Sequence, residues 1–579
     1  MSRIYFLIFL FLMGCDKDNH ISPIKIENQF QWGRDASMQM QDFLCETQDA
    51  FSIQLASSSE NKSFSRRRLC MMPRPLSEME KYELKGDISG EIFNQHGERI
   101  KICVFDYQSN ISFNVSDFSS SSFTCTSKEY NLSQELKVNN NIINLSIFDY
   151  IDSENNILVD YLNSSIAEID SSFDVQLNIP EGNFYLDKPI IVNRSISIKG
   201  ESSDKSSLIA SNNELINLIV VKPLARHSFK LATKINKGEN WLSTNESLQK
   251  LVTDACSSLV IKDKSQLWPF DPRENVFYGE ISNIKFSIGN VAKLAEPLRS
   301  DYSSDSELLL ICDAKVLIQD LELAFTTEIL GSKAIAIEHA FPVVVRNVKV
   351  LNSGRVGIWV SESRDVTITN NTLLDGFPLD CKTCYGIQSY GSQDVLIALN
   401  TISGFRRGID ISGYIPSRRV VVTKNVIQAE SSPKRSASAL GTHGSAEEVV
   451  FSFNETHGGV ISLLSRGNEI VIDNNTLLNS EYSSIYLATG AINYIWSNTL
   501  GGYRENGRLT NRGIAFNVPE LHLLTKIEDN KITADVGVRI TQLPYAIEIK
   551  NNILVNGVTT VSIENGVEIN KSDDIELIW

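Results

Sequence analysis

Basic residues are in short supply. The 579-residue chain carries 54 Lys and Arg against 70 Asp and Glu, a net charge of −16 and a pI near 5.1. A field of that sign repels phosphate, which argues against nucleic acid as a partner. Long apolar runs are missing after the first fifteen residues. No later stretch reaches the roughly 18 residues of a spanning helix, so several membrane spans are excluded. Coiled-coil heptads are absent too, and nothing marks an oligomeric state. What is present is a folded composition, 42% hydrophobic and 21% charged, on a chain long enough for more than one domain.

Residues 1–15 read MSRIYFLIFLFLMGC, with Arg3, an apolar run from Ile4 to Met13, then Gly14 and Cys15. The run is too short to cross a bilayer and reads as a secretory signal. Leu12-Met13-Gly14-Cys15 resembles the lipobox of bacterial lipoproteins. That resemblance implies a signal over 1–14, lipidation of Cys15 and attachment to a bacterial membrane. Asp16 resembles an inner-membrane retention signal, implying the periplasmic face of the inner membrane. Read without it, the implied location is the outer membrane or cell surface. The other eight cysteines are Cys45, Cys70, Cys103, Cys125, Cys256, Cys312, Cys381 and Cys384. In an exported chain they suit up to four disulfides. Cys381 and Cys384 have the spacing of a redox pair or half a zinc site. With no second such pair, a structural loop disulfide is the better reading.

Residues 15–40 are polar and suit a tether. Residues 41–165 hold short alternating runs, such as Ile102–Phe105 and Ile111–Val115, joined by serine-rich connections. They read as a small β-rich, disulfide-stapled domain. From about 170 to 579 the chain repeats. VTITNNTLLDG (366–376), VLIALNTISGF (395–405) and VVVTKNVIQAE (420–430) align, and five more units follow, placing asparagines at 371, 400, 425, 454, 475, 498, 530 and 552. A second strand recurs between them, as in Gly357-Ile358-Trp359-Val360, Gly386-Ile387-Gln388-Ser389 and Gly408-Ile409-Asp410-Ile411. The segments alternate with period two, which excludes a helical solenoid and suits stacked β-strands. Asparagine at a fixed turn bonds its equivalent in the next coil, so these asparagines hold the fold.

This array resembles the right-handed parallel β-helix superfamily of pectate lyases, polygalacturonases, mannuronan epimerases and phage tailspikes. The start, Ile179-Pro180-Glu181-Gly182-Asn183-Phe184-Tyr185-Leu186, is similar as well, and residues 226–280 resemble a β-rich insertion found in some members. The resemblance implies an all-β fold, a right-handed solenoid preceded by a small β domain, and a polysaccharide partner. The polygalacturonase pattern of paired aspartates with Gly-His-Gly is absent, as is the epimerase Asp-Pro-His-Asp. Calcium assists several such lyases, but no cluster of outward acids marks a site for it or another metal, and no cofactor is expected.

In the Gly-Ile-x-apolar strand the third residue faces outward. That row reads Trp359, Gln388, Asp410, Gly441, Tyr486, Ala515 and Arg539. Two residues on come Ser361, Tyr390, Ser412 and His443. Trp359, Gln388, Tyr390, Tyr486 and Arg539 form a candidate sugar-binding stripe. Asp410 and His443 fall on neighbouring coils, within about 5–8 Å, with Arg466 on the next. His443 as base, Asp410 orienting it and Arg466 neutralising a uronic-acid carboxylate together make a lyase or epimerase. Tyr390 or Tyr486 is then the opposing acid. A hydrolase needs two carboxylates, for which Asp410 pairs with Asp380 or Glu447. A non-catalytic glycan-binding or scaffold protein is the third reading. Lys434, Arg435, Arg504, Arg508 and Arg512, on long loops, offer local positive charge. His457, beside an asparagine turn, reads as structural.

Overall fold

The computed structural model describes residues 142–555 apart from short internal gaps. Outside that span it places backbone strands only, between residues 25 and 130 and between 559 and 578. The described core is a parallel solenoid. One coil contains Val356–Ser361, Arg364–Thr369 and Thr372–Leu374, and each strand pairs in parallel with its equivalent in the next coil. The first kind of strand builds a 12-stranded ladder, called here the glycine-led ladder, and the other two build a long and a short ladder. The expected all-β solenoid is what the chain forms.

Period-two alternation turns one residue type inward on every coil. Ile358, Ile387, Ile409, Leu440, Leu463, Ile485, Ile514 and Val538 are stacked in register and fully buried. Each such side chain contributes about 1.5–3 kcal/mol of burial. Between the long and short ladders the chain turns within two residues. The first adopts the left-handed region at Asn370, Leu399, Lys424, Phe453, Asn474, Ser497, Asp529 and Asn551 (φ 50–58°). The second is the asparagine, and all eight join one ladder. Asn425 typifies it: Oδ1 accepts from the backbone N–H (3.0 Å) and Nδ2 (2.9 Å) of Asn400, while Nδ2 donates to Asn454 Oδ1 at 2.9 Å.

The solenoid begins earlier than residue 170. Ile142–Ser146 pairs in parallel with Asp174–Ile179, and the helix Val159–Glu168 lies between them. Its buried residues Val159, Leu162 and Ile166 recur at helical spacing within a span whose other runs alternate. Farther upstream, backbone strands Phe51–Ser59, Lys62–Met71, Ile88–Phe93, Arg99–Phe105 and Lys128–Tyr130 form an antiparallel sheet. Of the eight cysteines expected to pair, only Cys256 and Cys384 have described side chains. Cys15, Asp380, Lys434 and Arg435 also lie outside the described residues.

Residues 226–311 form a six-stranded sheet inserted between coils, longer than the expected 226–280. It packs over the turns that follow the glycine-led strands. Val260, Ile281 and Ile311 meet Phe341 and Ile415, and charged pairs surround that contact. Arg418 Nε meets Glu447 Oε2 at 2.5 Å, and its Nη1 donates to the Gly279 carbonyl at 3.2 Å. Arg364 bridges Asp394 (2.9 Å) to Glu296 (3.2 Å), Arg299 pairs with Glu448, and Lys262 with Glu362. Near the end of this row, burial and the charges of Glu448 and Glu447 push the Glu469 carboxyl up to about 8, against the pull of Arg299 and Arg418. The unfolded chain releases that proton near pH 4. Stability is therefore expected to fall as pH rises from about 4 through 8. In melting curves from pH 5 to 9, Glu469→Gln is expected to flatten this slope and to melt higher than wild type at pH 9.

Candidate functional site on the glycine-led ladder

The outward row runs Trp359, Gln388, Asp410, Gly441, Leu464, Tyr486, Ala515 and Arg539, in continuous parallel register. Every expected member is in place, and Leu464 fills the rung between Gly441 and Tyr486.

Its middle is a compact polar cluster. Asp410 is fully buried. It accepts from Gln388 Nε2 at 3.0 Å, from Ser412 Oγ at 2.9 Å and from Arg407 Nη1. His443 Nε2 stands 3.3 Å from Asp410 Oδ1, nearer than the expected 5–8 Å. Burial alone raises the Asp410 carboxyl. The charges of His443 and Arg407 and the hydrogen bonds they make outweigh it, and hold the group well below the usual carboxylate range. Asp410 is thus a fixed anion.

Arg407 also lies 2.9 Å from His443 Nε2 through Nη1. A guanidinium only donates, so this contact puts a lone pair on Nε2 and the proton of the neutral imidazole on Nδ1. Protonation of Nε2 instead directs its N–H to Asp410. The ring thus has two arrangements, one for each charge state. His443 is the most exposed of these charged groups, its side chain 14% accessible against 5% for Arg407 and 0% for Asp410. Its turn is fixed from outside. The indole N–H of Trp268, in the inserted sheet, donates to the Gly444 carbonyl at 2.9 Å.

Sequence reasoning passed over Arg407. Alternation counted back from Ile409 points it inward, yet its guanidinium lies on the outer face, against Asp410 and His443. A side chain at Gly408 would meet the Ala439 carbonyl at 2.8 Å. The rungs at this position carry Lys333, Val356, Tyr385, Arg407, Ser438, Ile461, Ser483 and Arg512, and so polar a column is the signal that marks it as outward.

The two flanks differ. On one side is an aromatic shelf. Lys333 Nζ lies 3.3 Å over the Trp359 ring, Trp359 and Tyr390 are 6.3 Å apart between centroids, and Tyr390 meets Tyr414 edge-on at 5.2 Å. Burial, with the charge of Arg355, brings the Lys333 ammonium down to about 8, against Glu338. On the other side Ile461, Leu464 and Ala488 form an apolar patch that leads to Tyr486. Tyr482 and Tyr486 are 5.9 Å apart, and the Arg512 guanidinium is 4.3 Å from the Tyr482 ring centre. Burial raises the Tyr486 phenol, while the charges of Arg466, Arg539 and Arg512 pull the other way.

Two overlapping segments, residues 303–414 and 333–500, match the family described as a right-handed β-helix region. The solenoid is a right-handed parallel β-helix. Among solved structures, the tailspike of Pseudomonas phage phi297 is similar at 13% identity, with 73% of this chain and 78% of that one covered and a TM-score of 0.57. The tailspike of Pseudomonas phage LKA1 is similar at 14% identity, over 70% of this chain and 74% of that one, with a TM-score of 0.47. No curated protein matches the chain in sequence. Likeness at this identity is a likeness of fold.

On the β-helix the expected catalytic residues divide. Asp410 and His443 meet. Arg466 belongs to the following coil, where its backbone N–H donates to Thr442 Oγ1 at 2.7 Å and its charge acts on Tyr486. Glu447, the expected partner of Asp410 in a hydrolase, is committed to Arg418 beneath the inserted sheet. Among the described residues, no group of three or more His, Cys, Asp or Glu is placed to hold a metal.

Proposed function

We propose that the protein binds an acidic polysaccharide along the outer face of the glycine-led ladder and acts on it at His443. The observation that carries this reading is the placement of His443, the accessible end of a buried Arg407–Asp410 pair, between an aromatic shelf and an arginine–tyrosine patch. Aromatic faces suit pyranose rings, and the arginines suit uronate carboxylates. In this reading His443 takes the C5 proton of a uronate and Arg466 binds its carboxylate. Asp410 and Arg407 are positioning residues that set the charge state of the ring. If the C4–O bond then breaks, the leaving oxygen collects a proton from Tyr390 or Tyr486 and an unsaturated uronide remains. If the carbanion is reprotonated on its opposite face, the outcome is epimerisation. Lipid attachment through Cys15 at the bacterial cell envelope belongs to the same proposal.

A non-catalytic glycan-binding role is favoured by one observation. Arg407 Nη1 occupies the Nε2 lone pair that a base at this nitrogen needs. Hydrolysis is disfavoured, because Asp410 is buried and ionised and Glu447 is paired elsewhere.

Incubating the full-length chain in detergent with uronate-containing and neutral polysaccharides separates these readings. Absorbance of the unsaturated uronide, reducing ends and the C5 configuration of recovered sugar are followed in parallel. Lyase or epimerase action is expected, with a loss of at least 100-fold in His443→Ala. Reducing ends without absorbance indicate hydrolysis. Retained glycan unchanged in all three readouts indicates a binding protein.

A further inference from the structure

The short ladder carries a cavity of about 610 Å³ that is separate from the glycine-led face. Its lining includes Gln428, His457, Asn479, Glu481, Gly502 and Arg504. The fold opens it in a definite way. Gln428 and His457 are register partners on adjacent coils, so their side chains share the outward face. On the next coil the register shifts between Leu477 and Ser480, and Asn479 takes a left-handed backbone (φ 59°). That irregularity leaves extra room beside the row.

Two glycines in the lining allow close packing of the coils behind it. A Cβ at Gly458, itself at φ 76°, would meet the Ala429 carbonyl at 2.7 Å, and one at Gly502 would meet the buried Asn511 Oδ1 at 1.7 Å. Arg504 comes from a two-stranded hairpin, Arg504–Glu505 with Arg508–Leu509, inserted between the short strand Thr499–Gly502 and the glycine-led strand Arg512–Phe516 of the next coil. His457 is not merely a turn residue. Its Nε2 meets Glu455 Oε1 at 2.6 Å, which fixes the ring while a third of the side chain stays accessible (32%).

We propose that this cavity is a second ligand site, for a small carboxylate-bearing sugar. The size lies within the roughly 300–1,000 Å³ of small-molecule pockets. An apolar ligand finds little to bury against, whereas amides, an imidazole, a carboxylate and a guanidinium supply directional partners for hydroxyls. Arg504 supplies the fork for the ligand carboxylate, and Gln428, Asn479 and Glu481 take the ring hydroxyls. The site does not depend on chemistry at His443.

The test is titration calorimetry and saturation-transfer NMR of the full-length chain in detergent, with D-glucuronate as probe and D-glucose as neutral control. Glucuronate is expected to bind at least tenfold more tightly than glucose. Arg504→Ala is expected to weaken it at least tenfold and Glu481→Gln severalfold, with unchanged melting temperatures. His443→Ala is expected to leave binding intact, whatever it does to activity. The proposal is overturned if glucuronate does not bind, if Arg504→Ala binds it as wild type does, or if binding disappears in His443→Ala, which would assign it to the groove.

Discussion

Asn425→Ala is expected to destabilise the solenoid by roughly 2–4 kcal/mol, a large part of a typical domain's stability. Besides its link to Asn454, Nδ2 lies 3.0 Å from the carbonyls of Ile397 and Thr423, sharing its two hydrogens among the three acceptors, and Oδ1 accepts two bonds from Asn400, all at a fully buried position. With alanine there, the Asn400 amide keeps the carbonyls of Ile368 and Ala398, and the Thr423 carbonyl keeps the Leu399 N–H. The Asn400 backbone N–H loses its acceptor, and the Ile397 and Thr423 carbonyls lose one bond each, where water does not reach. Each group so stranded costs about 1–3 kcal/mol. Asn425→Asp is expected to do no better, because a carboxylate cannot donate and brings a charge into the same place. Urea unfolding followed by far-UV circular dichroism measures both. An unfolding free energy within about 0.5 kcal/mol of wild type, comparable to a surface substitution, would show that the ladder bonds contribute little.

The second large effect concerns Asp410. Asp410→Asn strands Arg407, whose side chain is only 5% accessible, and is expected to cost about 3–5 kcal/mol. The low carboxyl value gives the pH dependence. The pair's contribution is fully present above about pH 4, where an unfolded aspartate is already ionised, and is lost as pH falls through the folded value. The difference between wild type and Asp410→Asn is therefore expected to shrink in acid, as the folded carboxylate takes up its proton. The double variant Arg407→Met/Asp410→Leu removes both charges and is expected to recover most of the stability without recovering activity on glycan. Recovery of both would relieve the pair of any part in the reaction. Full activity in the stable double variant would in addition leave His443 acting alone.

The ladders were legible because one physical constraint, parallel in-register stacking, writes the same pattern into every coil. Asparagine after a left-handed residue and glycine before isoleucine each fix a rung, so the outward row from Trp359 to Arg539 could be read from sequence. Leu464 was not read, because Val460-Ile461-Ser462-Leu463-Leu464 lacks the Gly-Ile marker. Arg407 escaped because alternation counted back from Ile409 points it inward, whereas its guanidinium meets Asp410 and His443 on the outer face. The burial of Asp410 and Gln388 was also out of reach. It depends on neighbours distant in sequence, as does the hold of Trp268 on the His443 turn. An inserted sheet that reaches across a solenoid leaves no periodic trace in the coils it covers.

The register of the glycine-led ladder makes the groove a ruler. From Trp359 to Tyr486 there are five steps between rungs, or about 24 Å at the roughly 4.8 Å separation of paired strands. Because each coil is one indivisible increment, the gap between shelf and patch changes only by whole steps. An oligomer shorter than this span engages one end at a time, and one that reaches both gains the second contact at high effective concentration. Affinity plotted against oligomer length should then rise as a step rather than a slope. Gaining or losing a coil between Asp410 and Tyr486 would reset the length at which the step falls while leaving each end intact.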